Sequence, residues 1–179
     1  NSSMKRIFLL NAAIFILINF LNINTATGQD FKGKQFDEVM IYEFTPSPDP
    51  VYPNERKNII GANLDAIAKH QYESIRKKST YLTKEESTAF YNYLTTKSSF
   101  DNGTSICWQP HLGIYFLKNK KLVNLVEVCL ECNRVESALT IKASEGKGMS
   151  TAFRKFINSL LIKYQFDHKL ENYDGIWDK

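Results

Sequence analysis

The chain has 179 residues, 43% of them hydrophobic and 23% charged, with a formal net charge of +4. That apolar fraction is ample for one core, which excludes wholesale disorder. Residues 1–28 carry Lys5 and Arg6 and no acid, so the remaining 151 residues hold 21 bases against 19 acids. Half of the basic excess therefore sits in a leader-like segment, and the near-neutral remainder argues against a nucleic-acid binder.

Met4-Lys5-Arg6 opens a positive n-region, and Ile7 to Leu21 is an apolar run broken only by Asn11 and Asn19. Ala26 and Gly28 supply the small residues that a signal peptidase requires, placing cleavage before Gln29. The run falls short of the ~20 residues that span a bilayer, so a cleaved signal peptide is favoured over a retained anchor. The reading is residues 1–28 as signal peptide, residues 1–3 being a possible tag or upstream start. Residues 29–179 are then one exported domain, periplasmic or secreted, with no membrane span after cleavage.

Gln35 to Thr45 is β-branched and aromatic enough to predict a strand. Pro46, Pro48, Pro50 and Pro53 then impose a stiff connection. Asn54 to Lys78 places Ile60, Leu64, Ile67, Ala68, Tyr72 and Ile75 at helical spacing, with Gly61 weakening the first turn. Thr83-Lys84-Glu85-Glu86 is a capping box, and predicts a helix to about Thr95 with Phe90, Tyr91 and Leu94 facing the core. Asp101 to Thr104 reads as a turn. Ser137 to Ala143 alternates like a strand, Ser144 to Gly148 is a link, and Ser150 caps a helix from Thr151 to about Tyr164. That last helix buries Phe153, Phe156, Ile157, Leu160 and Leu161; the tail from Gln165 is polar. This order predicts an α+β domain whose antiparallel sheet is built around a Cys-bearing β-hairpin, with helices packed on one face.

The hairpin runs from Cys107 to Leu117, turns at Lys118-Asn119-Lys120-Lys121, and returns from Leu122 to Cys132. A two-residue loop at Asn119-Lys120 would set Lys118 opposite Lys121 and Cys107 opposite Cys132. Opposed residues lie ~4.5–5.5 Å apart, within disulfide range. Cys129 and Cys132 would be ~10 Å apart in a strand, so pairing them needs a turn at Leu130-Glu131, which Asn133 would suit. The expectation is a structural Cys107–Cys132 disulfide in an oxidising compartment, with no catalysis.

Two chemical alternatives use the same residues. A redox Cys129-x-x-Cys132 lacks the helix N-terminus that normally lowers a thiol pKa, since Asn133-Arg134-Val135-Glu136 leads into another strand. A zinc site could use Cys107, His111, Cys129 and Cys132, a three-thiolate, one-imidazole set, although oxidation competes for the thiols. His111, Glu127, Glu131 and Arg134 could furnish acid–base chemistry, but on the hairpin register Glu127 and His111 fall on opposite faces. His70 and His168 are assigned to polar surfaces without a role. No Gly-rich phosphate loop or Ser/His/Asp elbow occurs.

The block Cys107-x-x-Pro110-His111-x-Gly113-Ile114-x-Phe116, followed by Glu127-x-Cys129-x-x-Cys132-Asn133, resembles a pattern in small exported proteins of Bacteroidota. In that pattern a Cys-x-x-Pro-Arg strand precedes an Ile-Cys-x-x-Cys strand, after a short helix opening Leu-Thr, which Leu82-Thr83 matches. The resemblance covers about residues 80–135, and His111 stands where the pattern has Arg. It implies a lineage and an exported destination, and no activity, substrate or partner.

Overall fold

The computed structural model describes residues 30–45, 57–64 and 76–168. Residues 1–28 with the expected signal peptide, the four-proline connection, residues 65–75 of the expected helix with His70, and the end of the tail lie outside them. Strand β1 is Glu38–Phe44, β2 Arg76–Tyr81, helix α1 Lys84–Thr95 and β3 Phe100–Asn102. Strands β4 (Leu112–Lys118), β5 (Lys121–Cys129), β6 (Arg134–Ser137) and β7 (Gly148–Met149) precede helix α2, Thr151–Lys163. A five-stranded antiparallel sheet has the order β2-β1-β4-β5-β6, and β3 pairs with β7 in a separate two-stranded ribbon. The domain is α+β, as the element order implies.

Strand β1 shows why both sheet faces are dry. Its residues alternate between Val39 and Ile41 on one face and Met40, Tyr42 and Phe44 on the other, and all five are buried. The first face continues through Ile114, Phe116, Val126 and Val128, and receives Phe90 and Leu94 of α1 and Phe153, Ile157, Leu160 and Leu161 of α2. Both described helices therefore pack on one face. The second face, with Tyr115, Leu117, Leu122 and Leu125, is covered by Ile59, Ile60, Ala62 and Leu64.

The helices start where their caps dictate. Glu86 donates its amide to Thr83 Oγ1 at 3.2 Å, and Thr83 donates its own to Glu86 Oε2 at 2.9 Å. Ser150 Oγ accepts from the Phe153 amide at 3.3 Å in the same way.

Three segments differ from expectation. The helix expected across Asn54 to Lys78 does not run through 57–64, where Gly61 turns with φ +85° and donates its amide to the Leu122 carbonyl, while the Leu122 amide donates to the Ala62 carbonyl. Its expected last turn, from Arg76, is instead strand β2, because β1 offers a ladder that pairs Tyr42 with Ser79 and Glu43 with Lys78; tertiary pairing overrides local propensity. The strand expected over Ser137 to Ala143 is displaced upstream: β6 ends at Ser137, and Thr140 retains only a single bridge, to Asp30. The turn expected from Asp101 begins later, since Asp101 and Asn102 belong to β3.

The hairpin turns at Asn119 (φ 49°) and Lys120 (φ 63°), the paired left-handed residues of a tight primed turn. Lys118 opposes Lys121 and Leu117 opposes Leu122, but Phe116 then opposes Asn124. Val123 is thus an inserted residue, and the bulge moves every later pair by one position. The ladder ends at Leu112–Val128, so Cys107 to His111 is not strand.

Candidate functional site at the cysteine turn

Strand β5 stops at Cys129, and the chain folds back through Leu130, Glu131, Cys132 and Asn133 before entering β6. The Asn133 amide closes that turn on the Leu130 carbonyl at 3.2 Å, with Asn133 at φ 50°. Asparagine tolerates this backbone, and the side chain is used as well: Nδ2 donates to the carbonyls of Gly103 (2.8 Å) and Met149 (3.1 Å). The turn is thereby bound to the β3–β7 ribbon.

The incoming loop is tied to the same turn. Ser105 donates its amide to the Cys132 carbonyl at 2.9 Å and Thr104 Oγ1 donates to it at 3.2 Å. Cys107 and Cys132 form a disulfide, with Cα atoms 5.8 Å apart. The expected pair is therefore formed, but not as a cross-strand pair. Beyond the Val123 bulge, continued strand pairing would set Cys107 against Asn133. The bond forms instead between an irregular loop and the turn that the alternative Cys129–Cys132 pairing had required.

Cys129 keeps its thiol, buried and within 4.8 Å of the other two sulfurs. Burial pushes this thiol up in pKa, and the carboxylate of Glu131, 3.7 Å from Sγ, pushes the same way against backbone hydrogen bonds involving Gln109 and Cys132. Such a thiol is mostly protonated near neutral pH and is a poor nucleophile.

Glu131 also belongs to a second cluster. It is ion-paired with His168 Nε2, and the His168 ring stacks on His111 with centroids 4.0 Å apart. One ligand-type atom from each of His111, Glu131 and His168 lies within 4.8 Å of the others. Burial would raise the Glu131 pKa, but the hydrogen bond from His168, with the His168 and His111 charges, holds it below the ordinary carboxylate value. His111, expected among the thiols, stacks on His168, and Glu127, buried opposite Gly113, takes no part in that histidine–carboxylate triad.

His168 was expected on a polar surface and is instead a central member. Phe166 is fully buried and anchors the tail. The buried carboxylate of Glu43 then accepts the backbone amides of Asp167 (3.3 Å) and His168 (2.7 Å). An aromatic just past the end of α2, two residues before His168, is the available signal for this docking. His111 is fixed from β1, since Phe44 donates its amide to the His111 carbonyl at 3.0 Å.

On the outer side, Arg134 lies over the Trp108 ring at 5.2 Å and pairs with Glu136 at 2.6 Å. Ile106, immediately before the disulfide, is 99% exposed. No known protein family, curated protein or solved structure matches the chain. Among the described residues no helix is long and apolar enough to cross a membrane.

Proposed function

We propose that this is an exported interaction module without catalysis of its own, which engages a partner protein through the disulfide-pinned loop from Thr104 to His111. The observation that carries this reading is Ile106, a large apolar side chain 99% exposed beside Cys107. A loop crown held by a disulfide and by two hydrogen bonds to the Cys132 carbonyl has little conformational entropy left to lose on binding. Trp108 and Arg134, stacked next to it, are residue types that concentrate at binding hot spots. The leader-like residues 1–28 and the resemblance to Bacteroidota exported proteins support delivery to the periplasm or medium, where the disulfide is retained. The partner is a protein with an apolar cleft. Thiol–disulfide catalysis is the weaker reading, because Cys129 is buried with a raised pKa.

The test is a photo-crosslinking residue at position 106 in cells that export the protein, compared with the same residue at exposed Lys155 on α2. A discrete adduct specific to position 106, lost in the Cys107→Ser/Cys132→Ser variant, is expected. Equal labelling from both positions, or retention of the adduct without the disulfide, would overturn the reading.

A further inference from the structure

The three-residue cluster beside the disulfide has a composition that a docking loop does not require. His111 precedes β4, Glu131 sits in the turn after β5, and His168 follows α2, so three distant parts of the chain converge on one point. Two imidazoles and a carboxylate are the donor set of many first-row metal sites, with harder ligands than the neighbouring thiols. Their ligand atoms already lie within 4.8 Å of one another. Ligands on one tetrahedral zinc are about 3.3 Å apart, so side-chain rotations of roughly an ångström would gather them.

Each ligand is also held by its backbone. His168 is fixed by the Glu43 carboxylate, His111 by the Phe44 amide, and Glu131 by the turn that Asn133 closes. These contacts fix the backbone from which each ligand side chain projects, so the site is partly organised before an ion arrives. The side chains of Glu131 and His168 remain 23% and 30% exposed, which leaves an entry path for an ion and room for a water ligand.

We propose that His111, Glu131 and His168 form a binding site for a divalent transition cation of the zinc class, with the fourth position open to solvent. This ligand set differs from the Cys107, His111, Cys129 and Cys132 set expected from the sequence, in which the Cys107–Cys132 bond consumes two thiolates. The site keeps its nitrogen and oxygen donors under oxidising conditions, where thiolate sites are lost. Its existence does not depend on the docking role of Ile106.

The test uses the full chain expressed with its own N-terminal segment, recovered oxidised and without chelators, and titrated with Co²⁺ and Zn²⁺. One equivalent of Co²⁺ should bind with visible d–d bands, no thiolate charge-transfer band, and competition by Zn²⁺. Glu131→Gln and His168→Gln should each weaken binding at least about tenfold, Glu43→Gln should weaken it by about tenfold through His168, and Cys129→Ser should leave it unchanged. Circular dichroism of each metal-free variant separates lost binding from lost fold, and the spectrum of the unmodified chain reports the donor type directly. Absence of stoichiometric binding, a thiolate charge-transfer band lost in Cys129→Ser, or unchanged affinity in folded Glu131→Gln would overturn the proposal.

Discussion

Tyr42 lays its ring directly over Gly113, its cross-strand partner, so that a Cβ at position 113 would stand 2.0 Å from Tyr42 Cζ. The fully buried tyrosine also stacks on Tyr115 with centroids 4.4 Å apart. The missing side chain on β4 is therefore space already filled from β1, in the middle of the sheet.

Gly113→Ala should accordingly destabilise the domain by about 3 kcal/mol, since overpacking a dense core displaces its neighbours. Denaturant unfolding followed by tryptophan fluorescence measures the change. Tyr42→Ala in the Gly113→Ala background should cost less than the sum of the two single variants, because the clash is then absent. Strict additivity of the two would show that the ring does not occupy that space.

Glu86 gives the domain an acid-sensitive clasp. Its side chain accepts from the Thr83 amide, from Lys163 Nζ and from the Tyr164 hydroxyl, joining the start of α1 to the end of α2. Burial alone would raise its pKa, but these hydrogen bonds and the Lys163 charge lower it from 4.5 to about 2. The folded value lies below the unfolded one, so the stabilisation is complete above about pH 5. It fades as pH falls through 4.5 towards about 2. With Lys163 54% exposed and screened by solvent, the loss should be about 1–2 kcal/mol. Urea midpoints across this range should slope downward on acidification, and Glu86→Gln should flatten the slope. An unchanged slope in Glu86→Gln would remove the residue from the acid response.

The three cysteines should separate cleanly by chemistry. At about pH 8 Cys129 should alkylate at least tenfold more slowly in the native chain than in denaturant, as expected of a buried thiol with a raised pKa. Intact mass should then show one adduct after unfolding and three after reduction. Cys107→Ser/Cys132→Ser should cost about 3 kcal/mol, the amount expected for opening a closed loop of sequence separation 25. Rapid native labelling of Cys129, or a stability unaffected by the double substitution, would contradict these assignments.

Features written in short-range chemistry were legible from the sequence. The Thr83–Glu86 capping box, the Ser150 cap and the primed turn at Asn119-Lys120 each depend on residues at most three apart, and all three stand as read. The Val123 bulge was not legible, because Leu122-Val123-Asn124-Leu125-Val126 offers apolar side chains in both strand phases and cannot pin a register. The unshifted hairpin register therefore predicts the Cys107–Cys132 pair through a geometry that the chain does not use. Strand β2 was hidden for another reason: only its partner β1, more than 30 residues upstream, makes it a strand. The site followed the same division. Cys107, Cys132, His111 and Glu131 are chemistry-bearing residues within one short stretch of sequence, whereas His168 arrives through Phe166 burial and Glu43, contacts that no local pattern encodes.

The short strand β6 has a consequence for how copies of this molecule meet. Among the described residues it is the outer strand of the five-stranded sheet on the side of the cysteine turn, only four residues long, and it carries the Arg134–Glu136 ion pair. A second chain seeking to extend the ladder there would gain few backbone bonds and would have to strip water from both charges. At the opposite margin Lys78, exposed, donates through Nζ to the Gln165 carbonyl and sets a further charge against such stacking. Both described margins of the sheet therefore oppose edge-to-edge growth into fibrils.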